Sequence, residues 1–130
     1  MLATNQMIGL DLAFPDVCKT PPAMLPIPYP DLAFPMAAIP VAVTLLFNNA
    51  FAHNLATQIP LTLGDFPGAA LGLISNTVAA TSRRLLMNSY TTLLFGTPAN
   101  RMCCGGPQNR MNTLGFTVVP GCPHIVILAA

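Results

Sequence analysis

The residues best equipped for chemistry in this chain are soft ligands: Cys18, Cys103, Cys104, Cys122, His53 and His124. Cys122-Pro123-His124 sets a thiol and an imidazole close together, and Cys103 and Cys104 are adjacent. A structural zinc, or an iron, needs several such groups converging on one point. The candidate ligands are Cys18, His53, Cys104, Cys122 and His124, which would have to meet from distant loops. No Cys-x2-Cys spacing is present, so the competing reading makes the thiols small buried hydrophobes and the imidazoles hydrogen-bonded. The same groups could form a thiol enzyme, with Cys104 or Cys122 activated by His53 or His124, although no local signature supports it. Ser75, Ser82 and Ser89 lack the sharp glycine-flanked turn of a serine nucleophile.

Acid/base chemistry has one candidate pair. Asp11-Leu12-Ala13-Phe14-Pro15 recurs letter for letter as Asp31-Leu32-Ala33-Phe34-Pro35, so Asp11 and Asp31 hold matching positions. Paired carboxylates can share proton-transfer work. An Asp repeated beside Pro is more simply a residue whose side chain caps a turn, and that is the expectation. A looser echo sets residues 46–54 against residues 93–101. Repeats in a short chain imply similar β units and an approximate internal symmetry.

The elements that position these groups follow from composition. Of 130 residues, 53% are hydrophobic and only 7% charged, against about 25% charged in ordinary soluble domains. Much of the exterior is then neutral or apolar, which marks an interface with a protein or a membrane. Nucleic acid is excluded as a partner, because the net charge is +1 and only Arg83 and Arg84 are adjacent cations. That pair reads as a solvated turn or an interface rim. Residues 61–80 are the longest apolar stretch, but Asp65, Pro67 and three glycines bar a spanning helix. Residues 1–6 show no signal peptide, so synthesis in the cytoplasm and reduced thiols are expected.

Fourteen prolines bar long helices. Residues 15–40 read as extended and polyproline segments with short edge strands. Strands are expected over residues 41–47, 51–59, 90–95, 116–119 and 125–128, with a loop over 101–113 and mostly loop over 69–80. The fold class is all-β, one domain over residues 1–130, with short strands, long loops and internal pseudo-repeats.

Several stretches together resemble the PAAR-like proteins of type VI secretion and related contractile injection systems, in their proline-rich subfamily. They are Asp11-Leu12-Ala13-Phe14-Pro15-Asp16-Val17-Cys18, Pro26-Ile27-Pro28-Tyr29-Pro30, Ala52-His53-Asn54-Leu55, Ile59-Pro60-Leu61, Gly64-Asp65 and Gly96-Thr97-Pro98-Ala99-Asn100-Arg101. Gln108-Asn109 and Val119-Pro120 also fit. Pro98-Ala99-Asn100-Arg101 stands where the family's Pro-Ala-Ala-Arg would be, and Phe51-Ala52-His53-Asn54 is its counterpart in the other repeat. The resemblance implies a small β cone that caps a trimeric VgrG-type spike, one tip chain per trimer, sharpens it and can recruit effectors or an adaptor. It implies no catalysis, assembly in the bacterial cytoplasm and transient contact with a target membrane. Relatives often bind a metal through His and Cys near the tip. In this chain Cys18 and His53 match that pattern, while Arg84 and Thr113 replace expected ligands. Arg101 is expected to hold a loop through hydrogen bonds to carbonyls. The chain stops after its last expected strand, so any cargo is expected to be non-covalent. A small membrane-binding protein and a thiol enzyme are the alternative readings.

Overall fold

Prolines spaced through the whole sequence leave helices no room. The computed structural model, which describes residues 1–128, is built of strands joined by turns, with a single 3-10 turn at Pro35–Ala37. The strands are β1 (Leu2–Ala3), β2 (Leu10–Thr20), β3 (Leu25–Ala33), β4 (Ala42–Phe47), β5 (Ala50–Ala52), β6 (Gln58–Ile59) and β7 (Thr62–Leu63). They continue as β8 (Ser82–Arg83), β9 (Ser89–Leu94), β10 (Thr97–Ala99), β11 (Gly105–Gln108), β12 (Thr113–Val119) and β13 (Cys122–Val126). The all-β class holds. Among the described residues, no helix is long and apolar enough to cross a membrane.

The largest sheet runs β11-β12-β2-β3-β7, antiparallel throughout. Its β2 and β3 are longer than the expected short edge strands. Pro26, Pro28 and Pro30 lie two residues apart, so their missing N–H groups fall on one edge of β3. Proline is tolerated where no ladder needs completing, and β7 pairs with β3 only at Leu32 and Ala33. The pentapeptide repeat pairs with itself. Asp11 faces Ala33, Leu12 faces Leu32 and Ala13 faces Asp31, a local twofold about the two leucines. The turn-cap expectation for Asp11 and Asp31 therefore fails: both lie inside strands and both are buried. Strand β11 also falls inside the stretch expected to be loop. Residues 51–59 divide into β5 and β6 instead of making one strand.

The second architectural theme is threefold. Three antiparallel hairpins, β4–β5, β9–β10 and β13–β1, share one irregular register. Leu46 faces Phe51 but Ala42 faces Ala52; Leu93 faces Pro98 but Ser89 faces Ala99; Val126 faces Leu2 but Cys122 faces Ala3. Each hairpin thus carries the same bulge. Two of them turn through residues of positive φ, Asn48-Asn49 and Phe95-Gly96, the primed geometry that suits the strand twist. The third has no turn, because the first and last strands meet there. The Met1 ammonium donates to the Ile127 carbonyl at 2.8 Å, and the Ile127 N–H donates back to Met1 at 2.8 Å.

A cyclic hydrogen-bond pattern joins the hairpins. His53 N–H donates to Thr4 O at 3.2 Å, Asn100 N–H to His53 O at 3.2 Å, and Thr4 N–H to Asn100 O at 3.4 Å. A parallel set runs the other way round, Gln6 to Phe51, Leu55 to Pro98 and Met102 to Leu2, at 2.8–2.9 Å. The three strands come so close that only a small side chain fits between them. Ala3, Ala52 and Ala99 are wholly buried in one core cluster with Leu94, Cys122 and Ile127. Ala52→Leu is accordingly expected to lower unfolding stability by about 1–3 kcal/mol through overpacking. Urea denaturation checks it, and an unchanged midpoint would mean that the alanines are not in close contact.

Candidate functional site

Equivalent positions on the three hairpins carry equivalent side chains outward. Leu46, Leu93 and Val126 occupy the same register position, and they are 54%, 59% and 53% exposed. Val43, Tyr90 and Phe95 extend the apolar surface. This face is threefold in backbone and apolar in chemistry. The side chains of Asn5 and Asn54 repeat the symmetry inside, donating to Phe47 O at 2.7 Å and Leu94 O at 3.1 Å. At the third position Arg101 departs from the pattern and donates from Nε to Met87 O at 3.3 Å, a carbonyl contact of the kind expected of it.

The ring is pinned by buried charge. Arg84, expected to be solvated, is 3% exposed. Its Nε donates to Asp11 Oδ2 at 2.8 Å and its third guanidinium nitrogen, NH2, to Asp11 Oδ1 at 3.0 Å. NH1 lies 3.0 Å from His53 Nδ1. A guanidinium has no acceptor, so Nδ1 must accept and the imidazole proton must sit on Nε2. Burial first, and the Arg84 charge second, push the His53 pKa down to about 3. The imidazole is neutral under any ordinary condition. Its Nε2 and the side-chain polar atoms of Asn100 are buried without a protein partner.

A second polar centre is acidic. Asp16 and Cys18 come from β2 and Asp65 from the loop after β7, and all three are wholly buried. One ligand atom from each lies within 4.8 Å of the others. Asn109 Nδ2 donates to Asp16 Oδ2 at 2.9 Å and to Asp65 Oδ2 at 2.6 Å. Asn112 Nδ2 donates to Asp16 Oδ1. Ala79 N–H donates to both Asp65 oxygens, at 3.0 and 3.2 Å. Burial and the neighbouring carboxylates push the Cys18 thiol up to about 12. Burial likewise raises Asp65 and carries Asp31 to about 7. Two glycines let the loop approach: a Cβ on Gly68 would meet Cys18 Cβ at 2.2 Å, and one on Gly72 would meet the Asn112 side chain at 2.8 Å.

The five soft ligands expected to converge are scattered. Cys18 joins the acidic centre. His53 is held by Arg84, whose charge repels a cation. Cys122 fills the alanine core. The Cys104 thiol donates to Met87 O at 3.2 Å and accepts from Arg101 N at 3.2 Å. His124 is exposed on β13. A His/Cys metal centre does not fit this arrangement. All four cysteines are free, and the Cys104 thiol has Met87 O and Arg101 N as its partners and no imidazole. Asp16, Asp65 and the Arg84–Asp11 pair were missed from sequence. The third ring unit was also missed, although Ala3-Thr4-Asn5 repeats the spacing of Ala52-His53-Asn54.

No curated protein and no solved structure matches the chain. A family model does, described as the toxin PAAR-like domain, over residues 9–115. That span takes in the acidic centre, the Arg84 pair and two of the three hairpins in full, and the chain belongs to the toxin PAAR-like domain family.

Proposed function

We propose that this protein is a non-catalytic spike tip of a type VI secretion or related contractile injection machine, one chain capping one VgrG-type trimer. The observation that carries the reading is the set of three hairpins with one bulge and one exposed apolar position each, Leu46, Leu93 and Val126. A single chain can match a threefold partner only by presenting three similar surfaces, and an apolar, charge-poor face suits a permanent interface. The charge-poor exterior also suits passage through a membrane, where each exposed charge adds to the cost. On this reading the tip is assembled in the cytoplasm and leaves on the spike, carrying any effector by contact.

Co-purification with the spike trimer tests it. The expected complex holds three spike chains and one copy of this protein. Leu46→Asp or Leu93→Asp is expected to weaken the complex at least tenfold, because a carboxylate is then buried without a partner. Wild-type protein that stays a free monomer beside intact trimer would overturn the reading.

A further inference from the structure

The charges of this chain are sorted by sign between inside and outside. All four carboxylate side chains, Asp11, Asp16, Asp31 and Asp65, are buried, and there is no glutamate. Arg84 is buried against Asp11, and Lys19 and Arg101 are half-buried. The two exposed arginines, Arg83 and Arg110, line one groove, which Thr81, Leu85, Pro107 and Met111 complete. Among the described residues neither arginine meets a carboxylate. We propose that this groove docks an acidic segment of a second protein, with a carboxylate on Arg83 and Arg110 and an adjoining apolar side chain against Leu85, Pro107 and Met111. The groove includes no residue of the three hairpins, so the inference goes beyond the spike reading and does not rest on it.

The local fold holds both cations in place. Arg83 faces Gln58 across the β6–β8 pair, and its Nε and NH2 donate to Gln58 Oε1 at 3.1 and 2.6 Å. A neutral amide orients the guanidinium without cancelling its charge and leaves NH1 for a ligand. β11 passes close by: a Cβ on Gly106 would meet Arg83 O at 2.0 Å, so only glycine lets the strand approach. Arg110 sits in a turn of three successive left-handed residues, Asn109, Arg110 and Met111, with φ of 47°, 54° and 81°. Residues with a Cβ rarely take this conformation in succession. Here the buried Asn109 side chain anchors the turn to Asp16 and Asp65, and the Arg110 N–H donates to Thr81 O at 3.0 Å. Anchored cations have less freedom to lose on binding.

The chemistry of the walls selects the occupant. Paired guanidinium groups with no internal counter-charge complement a carboxylate. The groove measures about 210 Å³, below the roughly 300–1,000 Å³ of small-molecule sites, so it takes side chains of a segment and not a whole ligand. A second copy of this chain has no exposed carboxylate side chain to offer. An anionic lipid surface is recruited by clusters of about four to eight basic residues, more than this groove holds.

The test uses the full chain and a panel of fluorescent peptides in which glutamates alternate with leucine or phenylalanine, each beside a counterpart with glutamine for glutamate. Anisotropy is read at low salt. Saturable binding of the acidic peptides is expected, with about tenfold weaker binding of the glutamine counterparts and weakening as salt is raised. Arg83→Gln and Arg110→Gln should each weaken binding about fivefold, and the double variant should abolish it. Lys19→Gln removes the same charge elsewhere and should keep binding. Should the double variant fail to fold, amide shifts of the wild type on peptide addition decide, and they are expected at residues 81–85 and 107–111. Acidic peptides that do not bind, that bind the double variant as well as the wild type, or that shift amides only outside the groove would overturn the proposal. So would phosphatidylserine vesicles that bind through both arginines and are not displaced by the peptides.

Discussion

Arg84→Met is expected to destabilise the protein by about 3–5 kcal/mol, the usual loss when one partner of a buried ion pair is removed. The methionine fills similar space, so packing is not the cause. Asp11 is left 2% exposed without the guanidinium that donated to both of its oxygens, and His53 Nδ1 loses its donor. Urea unfolding of the variant measures the loss. The double variant Arg84→Met with Asp11→Leu discriminates further: removing both charges should recover most of the stability, since a buried pair is often matched by apolar residues of like volume. A single-variant loss below about 1 kcal/mol would mean that the pair is screened by solvent, against its burial.

Acid is expected to loosen the same place. The ordinary His pKa of 6.5 is lowered to about 3 at His53, chiefly by burial. Below pH 6.5 the unfolded chain therefore takes up a proton that the fold refuses, and stability falls as pH falls towards 3. By pH 4.5 the loss from this residue is about 2–3 kcal/mol. Asp31 acts in the opposite sense. Held near 7 against an ordinary 3.8, it keeps a proton in the fold that the unfolded chain has released, so its contribution improves as pH falls across that window. The wild-type profile mixes both. The difference between wild type and His53→Gln isolates the histidine, and it should change by about 2–3 kcal/mol between pH 7 and 4.5. Parallel profiles for the two proteins would show that position 53 is not the group responsible.

Residue types carried the strand content and much of the symmetry. Proline density excluded helix, and the echo between residues 46–54 and 93–101 marked two of the three hairpins. The third escaped because its two strands lie at opposite ends of the chain, so no local stretch spells it out. Asp11-Leu12-Ala13 and Asp31-Leu32-Ala33 were legible as a repeat, but not as partners. A repeat in sequence says nothing about whether its copies stand apart or pair, and here antiparallel pairing lays one on the other. The polar centres were the least legible. Arg84 finds Asp11 across 73 residues of sequence, and Asn112 finds Asp16 across 96. A solvated arginine and a buried one are spelled the same way. Soft ligands drew attention to Cys and His, whereas the group that convergence produced is mostly carboxylate.

The pairing of β1 with β13 also sets a time. A chain leaving the ribosome at about 5–20 residues per second has its first strand on the order of ten seconds before the partner emerges. During that interval two hairpins can form, but the ring of Thr4, His53 and Asn100 lacks the outer support of β13. The apolar outer face is then two-thirds built and offers no threefold match. Translation itself thus holds back completion of the threefold face until β13 has been made, and a chain broken off before Cys122 would present two of the three hairpins.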